Sequence, residues 1–392
     1  MKTADVLIIG GGIIGASAAY HLASSGCKNI IVIDKGKEPG EGSTGKATGG
    51  FRCQFSTEVN IHLSLLSRKK FLRFEEELGI DSGYRQYGYL FIAKSEKELI
   101  TLQSARHLQK KLGLEEAREV NPDEILSLNP AVLINGIIGG VFCPTDGFIS
   151  PMNILHGYMQ GAERLGVLFK FGVDCQGFTV RKNNEHSPAI ITEVITSEGT
   201  ISVKNVINAA GAWAGLIAKK AGVEIPVVPA RRHVAVLQEI NLLPDTMPMT
   251  IFTEDGFHFR VRDGQVLLLM PTDMPSSNPF DIKVNDTWIE NVKSIADSRV
   301  PCLSRTAIAH EQCWAGLYEM TPDRHAILGK APGFENFYLV NGSSGHGVMH
   351  SPALGQLISE IILEGKAKSI DIHALRPSRF AEGEMNKEAG IL

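Results

Sequence analysis

Asp5-Val6-Leu7-Ile8-Ile9-Gly10-Gly11-Gly12-Ile13-Ile14-Gly15 is the stretch on which the fold turns. Its first half is an unbroken aliphatic run ending in glycine, the pattern of a strand buried on both faces. Its second half sets Gly10, Gly12 and Gly15 in the spacing G-x-G-x-x-G. The three glycines serve a tight turn, close backbone approach to a pyrophosphate, and close helix–strand contact. Ile13 to Ser25 then reads as a helix, with Ala16, Ala18 and Ala19 permitting close packing and Gly26 ending it. Asn29 to Ile33 is a second buried strand, closed by Asp34 at the offset where a carboxylate accepts from a ribose hydroxyl. Strand, glycine turn, helix and strand in this order form one βαβ unit, with a dinucleotide expected at the positive end of the helix. Ile13 and Ile14 in the first helical turn, and Lys35 beside Asp34, belong to the same expected site.

Working outward, the 392 residues suffice for one large or two closely joined domains. A net charge of −4 gives no electrostatic reason to expect nucleic acid or an anionic membrane as partner. Cys27, Cys53, Cys143, Cys175, Cys302 and Cys313 are scattered without a C-x-x-C pair. This fits reduced thiols and a cytoplasmic location rather than a disulfide frame or a zinc site, and no metal is expected. Lys2 and the uncharged run from Val6 to Tyr20 superficially resemble a secretory signal, but cleavage there would destroy the glycine fingerprint. The run is also shorter than the ~20 apolar residues of a membrane span.

Along the rest of the chain, Glu38 to Gly50 reads as loop and Thr57 to Gly79 as one helix. Ala93 to Leu112 reads as another helix, and Asp146-Gly147 as a turn before a helix near Pro151 that Gly166 ends. From about Val227 to Met270 the pattern becomes antiparallel, with hairpin turns at Asp255-Gly256 and Asp263-Gly264. Between those turns Phe257, Phe259 and Val261 share one face, and His258, Arg260 and Arg262 the other. The C-terminal part repeats the pattern of the N-terminal unit, with a strand over Phe337 to Asn341, a second glycine cluster, and a helix from about Pro352 to Leu363.

That second cluster, Gly342-Ser343-Ser344-Gly345-His346-Gly347, bears on which dinucleotide is bound. It can turn N–H groups toward the N1/C2 carbonyl edge of a flavin, although an ordinary strand–helix turn is the plainer alternative. Asn208-Ala209-Ala210-Gly211-Ala212-Trp213 is similar to the segment by which glutathione-reductase-type FAD folds pass their cofactor a second time, adding Ala210, Gly211 and Trp213 to the expected site. The expected fold is therefore α/β: a glutathione-reductase-type, Rossmann-like FAD-binding domain with an inserted antiparallel-sheet α+β substrate domain. Residues 1–85, 142–225 and 316–392 are assigned to the first, and 86–141 and 226–315 to the second. NAD in place of FAD would leave the purified protein colourless.

These motifs, with the loop from Gly42 to Arg52 and the run Trp314-Ala315-Gly316-Leu317-Tyr318-Glu319-Met320-Thr321-Pro322-Asp323, resemble the D-amino-acid-oxidase-like superfamily of FAD amine oxidoreductases over essentially the whole chain. The contexts of Trp314 and Met349 are most similar to the β subunits of heterotetrameric sarcosine oxidase and dye-linked L-proline dehydrogenase. The resemblance implies loop contacts to the cofactor from Ser43, Thr44, Lys46, Ala47, Thr48 and Gly49. Monomeric sarcosine oxidases attach FAD through a cysteine where this chain has Gly316, so non-covalent FAD is implied. They hold the substrate carboxylate with a lysine where Met349 stands, so another cation must act. The strand Val266 to Met270 lacks the lysine such oxidases use toward oxygen, which favours a dehydrogenase.

The implied reaction is oxidation of a small amino acid or N-alkyl amino acid, of sarcosine, proline or glycine type, by hydride transfer to flavin N5. Arg52 matches an arginine beside the flavin in relatives and is the first candidate for the carboxylate, with a surface loop arginine as the alternative. Arg260 is the second candidate, or else a solvated strand residue. His346 would place a positive charge or hydrogen bond near the flavin, or simply pack the turn. Tyr318 would line the substrate pocket, or be core. The resemblance leaves room for an electron-accepting partner subunit, and also for a catalytically silent flavoprotein with an assembly or regulatory role.

Overall fold

The computed structural model describes residues 2–182, 184–185, 187–272 and 278–387. The opening strand, Lys2–Ile9, lies inside a sheet, parallel to Ile30–Asp34 on one side and to Gly199–Asn208 on the other. Leu168–Phe171 and Phe337–Asn341 extend the parallel core outward, and Ile327–Lys330 closes one edge antiparallel. Four stretches far apart in sequence thus end at the same sheet edge. Asn341 Nδ2 donates to Asn208 O at 2.8 Å, and Ala209 N donates to Ile9 O at 2.8 Å, tying three strand ends together.

Two helices lie side by side on this sheet, Ile13–Ser24 and Gly347–Glu364. A Cβ on Gly355 would lie 2.1 Å from Ser17 Oγ, so the contact requires glycine, and Gly347 meets Ile14 at their N-terminal ends. The closing helix begins at Gly347, earlier than the sequence suggested, and carries Pro352 in its sixth position. Neither helix is capped by the side chain of the residue just before it, Gly12 or His346. Two helix N-termini therefore open onto one cleft, one from each end of the chain.

The second sheet runs in the order Trp314–Met320, Val228–Ile240, Gln265–Leu269, His258–Arg262, Met249–Phe252, Tyr89–Ala93, Gly139–Cys143, Arg118–Val120. Its pairs are antiparallel except Met249–Phe252 with Tyr89–Ala93, where two separate entries of the chain into this sheet meet. One face buries Phe257, Phe259 and Leu268 with Trp288 of the helix Asp286–Arg299. The other packs Tyr89, Phe91 and Met249 toward the first sheet and its helices. Gly139–Cys143 and Trp314–Met320 each straddle a boundary drawn from the sequence and pair over their whole length in this second sheet. Residues 1, 183, 186, 273–277 and 388–392 of the assigned ranges lie outside the described residues.

Three local expectations need correction. Glu38 to Gly50 is not loop throughout: Ser43–Lys46 forms a helical turn, and Gly50 starts a short strand paired with Gly147–Phe148. The helix expected over Thr57 to Gly79 is two helices, Glu58–Leu72 and Phe74–Leu78, broken where Arg73 leaves helical geometry at φ −112°, ψ 5°. Ala93 ends a strand, and the following helix starts at Glu96, where the Ser95 hydroxyl accepts from Glu98 N. A capping serine outweighs the helical pattern upstream of it.

Candidate active site

The first glycine turn is enforced by backbone. Gly10 has φ +112°, and a Cβ there would lie 2.3 Å from Ala209 O. One on Gly15 would lie 1.9 Å from Gly10 O. Asp34 sits at the end of its strand, but its carboxylate accepts from Gly11 N and Gly36 N, each at 2.7 Å. It thereby orders the turn that faces the cleft. Lys35 places its ammonium 3.7 Å from the centroid of the Trp213 ring, which stacks on Phe280. Trp213 ends a short 3-10 turn that Gly211 opens at φ +53°, directly after Ala210.

The loop after Gly42 folds over the same cleft. Thr44 Oγ1 accepts from Ile13 N at 3.1 Å, at the start of the first helix. Ser43 Oγ donates to Leu317 O at 2.7 Å, and Trp314 Nε1 donates to Lys46 O at 2.8 Å. A Cβ on Gly316 would lie 2.9 Å from Lys46 Cβ, so glycine lets loop and strand touch. Ala47 ends the turn, Thr48 follows with its carbonyl toward Arg260, and Gly49 takes φ +77° with its carbonyl accepting from Ile149 N.

The closing turn is enforced by side chains. A Cβ on Gly342 would lie 2.4 Å from Thr321 Cγ2, and one on Gly345 would lie 2.4 Å from Tyr318 Cε2. Ser344, at φ +49°, accepts from Thr321 N at 3.1 Å and donates to Gly342 O at 3.0 Å. Ser343 N donates to the buried Glu319 carboxylate at 3.2 Å. Behind it, Thr321 Oγ1 donates to Asp323, whose carboxylate is held by buried Arg379.

Arg52 is buried at the end of the strand Gly50–Phe51. Its Nη1 donates to Gln54 O at 2.7 Å, its Nη2 lies 3.3 Å from His346 Nε2, and its guanidinium stacks 4.1 Å from the Phe55 centroid. Burial and the adjacent Arg52 cation push the His346 imidazole well below its ordinary pKa. His346 is therefore neutral, accepts from Arg52 at Nε2, and carries its proton on Nδ1. The positive charge the sequence allowed at His346 resides on Arg52 instead. Arg260 is not solvated. It is buried, donates Nη1 to Thr48 O at 2.5 Å, and lies 3.6 Å from the Phe148 ring centroid. Burial lowers it to about 10, which leaves it cationic at neutral pH. Tyr318 is 37% exposed, with one flank against Gly345 and the Arg232 guanidinium 5.4 Å from its centroid.

Sequence reasoning missed Asp146 and Arg232. Asp146 read as a turn residue, yet it is fully buried and accepts from Cys53 N at 2.7 Å and Gln54 Nε2 at 3.0 Å. Burial raises its carboxyl to about 6. It anchors the two residues that follow Arg52. Arg231-Arg232 within an aliphatic strand was the available signal for Arg232, since adjacent strand residues face opposite ways.

A cradle in which Gly10, Gly15, Gly342 and Gly345 leave no room for a Cβ, with two adjacent helix N-termini, fits a pyrophosphate joined to a flavin. Fold and site define a dinucleotide-binding α/β oxidoreductase whose second sheet faces the cofactor cleft. A family model described as FAD dependent oxidoreductase (DAO) matches residues 5–361, and the chain belongs to that family, with FAD as cofactor. FAD-dependent oxidoreductase domain-containing protein 1 of Bos taurus is 29% identical over 436 residues, covering 100% of this chain and 87% of its own. Mitochondrial dimethylglycine dehydrogenase of Homo sapiens is 26% identical over 407 residues, covering 97% of this chain and 44% of its own. The structure of L-proline dehydrogenase from P. horikoshii superposes with a TM-score of 0.90 at 27% identity, covering 98% of this chain and 100% of that one. The superfamily, cofactor and fold class expected from the sequence are all met. Among the described residues, no helix is long and apolar enough to cross a membrane, and no group of His, Cys, Asp or Glu is arranged to hold a metal.

Proposed function

We propose that this protein oxidises a small amino acid or N-alkyl amino acid of sarcosine, proline or glycine type, removing hydride from the amine-bearing carbon and leaving an imine that water hydrolyses. The observation that carries this reading is Arg52, a buried guanidinium oriented by Gln54 O and a neutral His346 at the start of the closing helix. FAD supplies a hydride acceptor when bound. Arg52 holds the substrate carboxylate, and His346 fixes the plane of its guanidinium while adding no second charge. Tyr318 covers one side of the substrate, and Arg260 stiffens the loop at Thr48.

The glycine turns, Asp34, Lys35, the Ser43–Gly49 loop and the Ala210–Trp213 segment hold the cofactor. In this reading residues 1–85, 142–225 and 316–392 form the FAD-binding domain and the remainder the substrate domain, with 142–143 and 316–320 pairing into the second sheet. A dehydrogenase is favoured over an oxidase, because Gln265–Leu269 places no lysine beside the cleft. Electrons then leave to a partner subunit or another acceptor, and the unpaired thiols suit the cytoplasm. The activities for which the relatives are named, on dimethylglycine and proline, support the substrate class.

The test is anaerobic mixing with a panel of N-methyl, cyclic and dicarboxylic amino acids, repeated in air. Bleaching of the flavin band by at least one of them is expected, with slow recovery in air. No bleaching by any member would overturn the reading, and fast recovery in air would make the protein an oxidase.

A further inference from the structure

The strand register puts Tyr318, Arg232, Arg260, Arg262, His258 and Tyr89 on the one face of the second sheet that looks toward the cofactor cleft. From Trp314–Met320 across to Tyr89–Ala93, the paired positions of this face carry no aspartate or glutamate. Among the described residues, Arg232, Arg260 and Arg262 have no carboxylate within 4.0 Å. Instead their guanidiniums lie over the rings of Tyr318, Phe148 and Trp314, at 5.4, 3.6 and 5.1 Å from the centroids. The acids that do act nearby are committed elsewhere or more distant. Asp146 is bonded to Cys53 N and Gln54, and Asp245 and Asp263 reach Arg260 only at longer range. A buried or half-buried guanidinium lacking a counter-charge is costly unless a ligand supplies one.

The three cations are not equally available. Arg260 spends Nε on Val261 O and Nη1 on Thr48 O, with Phe148 over its face. Arg262 lies by Trp314, toward the Asp263-Gly264 turn. Arg232 makes both its bonds, to Arg231 O at 2.9 Å and Thr272 O at 3.1 Å, through Nη1. Its Nε and Nη2 have no acceptor among the described residues. Arg232 and Arg52 both act electrostatically on the Tyr318 phenol, and the Arg232 guanidinium lies 5.4 Å from its ring centroid.

Resting on the function proposed above, we infer that the substrate carries two carboxylates: one held by Arg52, and a second, on the side chain or on the nitrogen substituent, seated at Arg232. A substrate with a single carboxylate would leave Arg232 facing the cleft without a counter-charge from the described residues.

The test measures binding of unreactive acids to the FAD-loaded protein by perturbation of the flavin absorbance, comparing succinate and glutarate with propionate and butyrate. The dicarboxylates should bind at least tenfold more tightly. Arg232→Gln should bring that ratio close to one by weakening the dicarboxylates, and Arg232→Lys should restore part of it. Arg262→Gln removes the same charge from the same face and should leave the ratio within threefold, separating a local seat from a general field. Equal binding of both classes to the parent protein, or an unchanged ratio in Arg232→Gln, would overturn the inference. If amino acids bleach the flavin but dicarboxylates gain nothing, only this inference falls. If no amino acid bleaches it, whether it carries one carboxylate or two, the proposed function fails whatever the binding ratio.

Discussion

The two glycine-rich turns grip the cofactor cleft from opposite ends of the chain, and they are built differently. Gly10 and Gly15 are excluded from carrying side chains by backbone, namely Ala209 O and Gly10 O. Gly342 and Gly345 are excluded by the Thr321 methyl and the Tyr318 ring. A backbone obstacle cannot be removed by mutation, whereas a side-chain obstacle can. The first turn is therefore an invariant mount. The second can be tuned through the strand Trp314–Met320, which also supplies Tyr318 to the substrate side.

The largest expected effect is at the first turn. Gly15→Ala puts a methyl group 1.9 Å from Gly10 O, and helix and strand must part. The variant should lose FAD and more than about 3 kcal/mol of stability, read by flavin content and thermal melting. A yellow, normally melting Gly15→Ala protein would erase the contrast between the turns.

Next is Arg52, the side chain that links the first domain's loop to His346 of the closing turn. Arg52→Ala should lower kcat/KM by the equivalent of about 2–4 kcal/mol, with FAD retained. Lost FAD with intact turnover per bound flavin would make Arg52 a strut of the closing turn rather than the substrate's cation.

Asp146 adds a pH dependence to that link. Its folded pKa of about 6 lies above the value of about 3.9 expected for the unfolded chain, so the folded protein binds the proton more tightly. The associated stability is complete below pH about 4 and disappears as pH rises through about 6. Asp146→Asn lacks this dependence. Its stability relative to the parent should improve by up to about 3 kcal/mol between pH 4 and pH 7, on top of a constant loss from disturbed bonds to Cys53 and Gln54. Denaturant melts across that range decide it, and a pH-independent difference would place the titration elsewhere.

The same contrast explains what the sequence disclosed. The first βαβ unit was legible because its determinants are local: an aliphatic run, glycines at fixed spacing, and Asp34 at the next strand end. The helical turn Ser43–Lys46 was not legible, because its contacts come from Leu317 and Trp314, far away in the chain. Arg260 showed its face but not its burial, since Thr48 and Phe148 arrive from outside the second sheet. Asp146 had the local signature of a turn, and only the fold reveals a buried carboxyl behind Arg52. Residues whose partners are adjacent in sequence could be read. Those defined by contacts between stretches far apart in the chain could not.

The smallest effect tests whether the closing turn can be tuned. Gly345→Ala meets both an unfavourable φ of +94° and the Tyr318 ring, and only the second obstacle is removable. Tyr318→Ala should therefore rescue part of the FAD affinity lost in Gly345→Ala, with a coupling of about 1 kcal/mol in a double-mutant cycle. The residual loss measures the backbone strain alone, on the order of 1 kcal/mol for a single left-handed residue. Zero coupling would mean that Tyr318 swings aside without cost, and the closing turn would then be as fixed by backbone as the first.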